Sequence, residues 1–144
     1  MPVENPNFRD QILESFGRQG LMRTIGAMLS RIEPGEVHIR LPLTPALSQQ
    51  NGYGHAGAVA AIADTACGYA AFSLAPPDHD VLAVEFKINL LAPARAPVVE
   101  ARATVLRRGR TLTVARADVF GLEHGRESHL ATVLETVIVR QKPE

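Results

Sequence analysis

The stretch from Ala56 to Ala75, AGAVAAIADTACGYAAFSLA, decides the fold, and Gly52-Tyr53-Gly54-His55-Ala56-Gly57 opens it. Its small apolar side chains predict one buried helix held closely by its surroundings. Asp64 is the only ionisable residue in it apart from Cys67 and Tyr69. A carboxylate buried without a partner is costly, so Asp64 reaches water or a partner, or its pKa rises. The glycine-rich entry adds exposed backbone N–H groups at a helix start, where negative charge is favoured. An acid and an anion-stabilising helix end on one helix make a candidate active site.

The run is long enough to suggest a membrane span, but its bulk is alanine and glycine and it carries a charge near its centre. That is the wrong chemistry for a bilayer, and no membrane partner is expected. Upstream, Asn7 to Gly17 reads as a short amphipathic helix with Phe8, Ile12, Leu13 and Phe16 on one side, ended by Gly17 and Gly20. Two strand-like segments follow, about Thr24–Ile32 and Glu36–Leu41, joined at Pro34-Gly35. In the second, Val37, Ile39 and Leu41 alternate with Glu36, His38 and Arg40.

Downstream of the helix, residues 76–80 (PPDHD) form a loop, and the rest reads as extended: about Val81–Leu91, Val98–Arg107, Thr111–Phe120 and Ser128–Arg140. Short turns between these strands require antiparallel pairing, because parallel strands need a long crossover. The expected fold is α+β, a curved antiparallel sheet wrapped around one long central helix. Residues 1–20 are expected as an N-terminal helical segment and 21–144 as a single domain.

Lys+Arg and Asp+Glu both number 15, so charge offers no argument for nucleic acid. The single cysteine, Cys67, excludes an intrachain disulfide and suits a reducing, cytoplasmic compartment. No basic region followed by an apolar run opens the chain, so no secretory signal is visible.

Gly52, Gly54 and Gly57 match a dinucleotide fingerprint in spacing alone. The strand that should precede it and the parallel βαβ unit that should follow are both missing. What survives is narrower: the N–H groups of Ala56 and Gly57 can polarise a carbonyl or hold an oxyanion. His55 and Asp64 stand nine residues apart, about 13 Å along an intact helix and roughly half a turn out of phase, so they cannot meet within one chain. His55 is either a structural histidine bonding nearby backbone or a direct participant. If one reaction uses both the helix start and Asp64, the two come from different copies of the helix. Cys67 has no neighbouring base to activate it. Neither His79 with Asp78 and Asp80 nor His124 with His129 shows a recognised metal-ligand spacing, and no metal is expected. Arg107, Arg108 and Arg110 concentrate at one hairpin, which is either a solvated turn or a phosphate contact.

Residues 49–57, QQNGYGHAG, followed by Asp64 and Ala70-Ala71, resemble the hot-dog-fold acyl-CoA thioesterases of the phenylacetic-acid-degradation type. Residues 84–90, VEFKINL, with Pro93-Ala94 resemble the strand after the helix in that family, and Arg108-Gly109-Arg110-Thr111 resembles its next hairpin. The resemblance implies hydrolysis of an acyl-CoA thioester with no cofactor beyond the coenzyme A of the substrate. It also implies a homodimer, often paired into a tetramer. Asp64 would be general base or nucleophile, and the N–H of Ala56, with that of Gly57, would polarise the carbonyl from the opposite subunit. His55 belongs to the same motif. Gln49 would stand near the leaving group or attacking water, and Asn51, Ala83 and Thr111 would border the substrate. Arg108 and Arg110 would meet CoA phosphates. Ala56 replaces a family glycine, Gln49 an asparagine, and Ala83 a serine or threonine. Those departures leave two alternatives open, a non-catalytic acyl-CoA-binding domain and a hydroxyacyl-thioester dehydratase using His55.

Overall fold

The computed structural model describes residues 1–143. Helices α1 (Phe8–Gly17) and α2 (Gly20–Ile25) lead into strands β1 (Met28–Glu33) and β2 (Glu36–Pro42). A short 3₁₀ turn, Pro45–Leu47, precedes helix α3 (Ala56–Phe72). Strands β3 (His79–Leu90), β4 (Val98–Arg108), β5 (Leu112–Glu123) and β6 (Arg126–Gln141) complete the chain. All six strands join one sheet in the order β1-β2-β4-β5-β6-β3, and every pairing is antiparallel.

The strand expected from Thr24 begins only at Met28, because Gly20–Ile25 is helical. Gly20 therefore starts a helix rather than ending one. Gly26, at φ 82°, closes it in the left-handed conformation that glycine adopts without steric cost. Helix α3 stops at Phe72, three residues short of the apolar run's end.

Small side chains let the sheet close on α3. Ala63, Ala66 and Ala70 on the helix are fully buried against Ala101, Ala103, Ala115 and Ala117 of the sheet. Ile62, Val99, Val119 and Val133 fill the remaining space, each burial contributing roughly 1.5–3 kcal/mol. Helix α1 joins the same core through Phe8 and Ile12.

Strand β3 differs from the others. It pairs only with β6 and forms one edge of the sheet. Leu82, Val84, Phe86 and Leu90 on it are all exposed. A register shift between Ala83 and Glu85 inserts one extra residue, so Ala83 and Phe86 both lie opposite inward-facing residues of β6, Val137 and Glu135.

Candidate active site

His55 is the N-cap of α3, and its Nδ1 accepts the N–H of Gly57 at 2.7 Å. A Cβ on residue 57 would sit 2.9 Å from that nitrogen, so glycine there keeps room for the cap. The Gly57 N–H is thereby occupied. The Ala56 N–H finds no acceptor among the described residues and stands exposed at the helix start. Gly52 supplies a turn at φ 84°, and the Gly54 N–H donates to Ala94 O at 2.8 Å. The three glycines serve a turn, a strand bridge and a helix cap, none of them a dinucleotide.

Gln49 holds this loop. Its Oε1 accepts the N–H of Asn51 at 2.5 Å and that of Tyr53 at 3.2 Å. Gln49 and Ala56 line one cleft of about 390 Å³ with Val59, Leu90, Leu91 and Leu130. Asn51 is exposed and lies outside its lining.

Asp64 lines a different cleft, of about 220 Å³, with Ala83, Glu135, Tyr69, Ser15 and Gln19. Its carboxyl is half-buried, and burial raises its pKa, against the opposing effect of a hydrogen bond with Glu135. The end of α1 and the start of α2 border this cleft: Ser15 Oγ of α1 and Nε2 of Gln19, the α2 N-cap, both lie 2.9 Å from the Tyr69 hydroxyl. Glu135 escaped the sequence reading. It is fully buried on β6, and burial followed by the Asp64 charge pushes its pKa up to about 9. The signal was present in residues 131–137, ATVLETV, where Glu135 takes an inward-facing position between Val133 and Val137. Cys67 is buried beside both carboxyls, which with burial raise its pKa and keep it an unreactive thiol.

The arginine hairpin lies at the Asp64 end of the sheet. Leu112 pairs with Ile138, which pairs with Leu82, and the Val139 N–H donates to Thr111 O at 2.7 Å. Arg108 is ion-paired with Glu4, whereas Arg110 is exposed and makes no ion pair among the described residues. The helix start lies at the other end, beside Ala94 and the Leu90 end of β3. One protomer thus keeps the Ala56 N–H and Asp64 in separate clefts. Among the described residues no three His, Cys, Asp or Glu side chains gather as a metal centre would need. No helix is long and apolar enough to cross a membrane.

Residues 51–128, which hold the helix start and Asp64, match the thioesterase superfamily. The chain belongs to that family. Its relatives include a 1,4-dihydroxy-2-naphthoyl-CoA hydrolase of Listeria monocytogenes, 32% identical over 95 residues, 66% of this chain and 77% of the relative. A solved thioesterase family protein from Silicibacter pomeroyi superposes with a TM-score of 0.91 at 42% identity, covering 93% of this chain and 98% of that one. The PaaI protein of the E. coli phenylacetic acid degradation operon shares the fold at a TM-score of 0.85 and 17% identity, over 94% of this chain and 95% of its own. The wrapped helix is therefore the hot-dog fold, and this thioesterase superfamily member is a hydrolase.

Proposed function

We propose that this protein hydrolyses an acyl- or aryl-CoA thioester to free acid and CoA at a site shared by two subunits. Asp64, a half-buried carboxyl in a cleft on the central helix, is the observation that carries the reading. As general base it takes a proton from water, which attacks the thioester carbonyl; as nucleophile it attacks the carbonyl itself, and water hydrolyses the resulting acyl–Asp64 anhydride to free acid once CoA has left. Either way the developing oxyanion needs a donor, and the unoccupied N–H of Ala56 is of the right kind. The C–S bond then breaks, and CoA leaves as a thiolate that takes up a proton. Water is the only co-reactant, and the reaction changes no oxidation state, so it needs no redox cofactor.

The helix start and Asp64, at mid-helix, are too far apart to act together in one protomer. The exposed edge strand β3 supports a second subunit: an antiparallel edge-to-edge pair sets the Leu90 end of one β3 beside the Leu82 end of the other, and covers the apolar Leu82, Val84 and Phe86. A dissociated monomer is then inactive. Arg110, unpaired at the Asp64 end of the sheet, is the better placed of the two arginines to meet CoA phosphate, because Arg108 already holds Glu4. The Listeria relative acts on an aromatic acyl-CoA, which favours an aryl ester among the substrates to try first.

Hydrolysis assays across short, medium, long and aryl acyl-CoAs, comparing wild type with Asp64→Ala, test the reading. Loss of turnover in the variant is the expected result. Equal activity removes Asp64 from the chemistry, and calorimetric binding of CoA esters without turnover makes the protein a binding domain instead.

A further inference from the structure

Glu135 is an acid in the wrong company. It has no solvent exposure, and neither carboxyl oxygen receives a hydrogen bond from any N–H or from a hydroxyl of Ser, Thr or Tyr. Asp64 lines the same cleft, and its carboxyl, after burial itself, is what raises the Glu135 pKa. Among the described residues no cation relieves the pair. From α3 the ionisable groups around it are Asp64, Cys67 and Tyr69; from β3 they are Asp80 and Glu85, the latter hydrogen-bonded by Thr136 Oγ1 at 2.6 Å. The neighbouring β5 presents Thr113, Ala115 and Ala117 to the interior, and inward-facing Val133 and Val137 flank Glu135 on β6.

Two carboxylates in contact inside a protein cannot both stay charged. A lone buried carboxylate without a donor costs several kcal/mol more than its neutral acid. One proton therefore resides on the pair. The deeper, fully buried partner is the one that gains more by being neutral, and Asp64 has the cleft's solvent to support a charge.

We infer that Glu135 is a positioning residue: it keeps its proton, donates it in a hydrogen bond to Asp64, and so fixes Asp64 as the single anion of the site. The inference rests on the thioesterase reading of Asp64. The β3 bulge beside Ala83 lies on the strand that pairs with Glu135, at the point where the register of the cleft wall changes.

The test compares Glu135→Leu, which deletes the donor, with Glu135→Gln, whose amide still donates. In Glu135→Leu the acid limb of kcat moves up by about one pH unit, the scale of one charge-assisted hydrogen bond, while KM stays put. Glu135→Gln keeps the wild-type limb. An unmoved limb in Glu135→Leu, or an equal shift in both variants, overturns the inference. Infrared spectroscopy supplies a readout independent of turnover. Wild type should show a protonated carboxylic acid band at neutral pH that is lost in Glu135→Gln and displaced in Asp64→Asn. A wild type without that band overturns the inference even where Glu135→Leu fails to fold. Absence of thioester hydrolysis by wild type would instead strike at the proposed function, leaving the infrared result to decide whether the pair exists.

Discussion

The start of α3 and its midpoint offer two different kinds of polarity. At its start the useful group is a backbone N–H, exposed, and kept in place by the His55 cap on its neighbour Gly57. Eight residues on, the useful group is a side-chain carboxyl, half-buried, and facing a second carboxyl that is wholly buried. The first is an electrostatic device that any small residue can supply, which is why Ala56 can stand where the resembling family has glycine. The second depends on side-chain identity and on the medium around it. Polarity built from backbone tolerates substitution, and polarity built from buried charge does not.

The largest expected effect separates the helix start from Asp64 by subunit. Asp64→Asn removes the acid, and Ala56→Pro removes the N–H at the first helical position, where proline is well tolerated. Each homo-oligomer should lose roughly 10²- to 10⁴-fold in kcat. Unfolded and refolded together, the two should recover about a quarter of wild-type activity, since half the dimers are mixed and each mixed dimer has one intact site. No recovery on mixing breaks the shared-site reading.

A smaller effect sharpens the buried side of the comparison. The unfolded chain releases the Glu135 proton in the ordinary carboxylate range, while the folded protein holds it up to about 9. Between those limits the folded state binds more protons, so stability falls as pH rises, by at most about 1.4 kcal/mol per pH unit for this group. The raised pKa of Asp64 adds to the fall with the same sign. Thermal unfolding of Glu135→Gln against pH should show a flatter decline than wild type; parallel profiles would mean that Glu135 is charged in the folded protein.

The smallest effect tests the exposed side. A methyl at residue 57 meets the His55 ring, and losing the cap costs roughly 0.5–2 kcal/mol, a few degrees in Tm. Gly57→Ala should therefore lower Tm modestly and kcat along with it, because the same cap positions the Ala56 N–H. A lowered Tm with unchanged kcat would detach the helix start from the chemistry.

Much of this was legible in the residues. The alternation of Val37, Ile39 and Leu41 marked a strand whose inward side is in the core, whereas that of Phe86, Ile88 and Leu90 marked a strand but not a buried side, since Phe86 and Leu90 are exposed on the edge strand. The helix around Asp64 was marked by its alanines. The Thr24 segment misled because LMRTIGAML carries neither period clearly, and the buried Met22 and the left-handed Gly26 made its first half a helix. Glu135 was missed for a different reason. In a list of residues it is one of many glutamates, and only its register against Val133 and Val137 turns it inward.

What the sequence by itself determined was local: a small-residue helix with one acid in it, a glycine-spaced helix start, and strands whose period-two patterns demanded a wrapped sheet. Those follow from propensity, spacing and the cost of burying charge, all of which are properties of neighbours in the chain. The tertiary structure alone decided which acid faces Asp64, which N–H at the helix start remains free, and that the start and the middle of α3 open into separate clefts. Strand register and hydrogen-bond partnership join residues as far apart as Asp64 and Glu135, and no periodicity along the chain encodes which of them will meet.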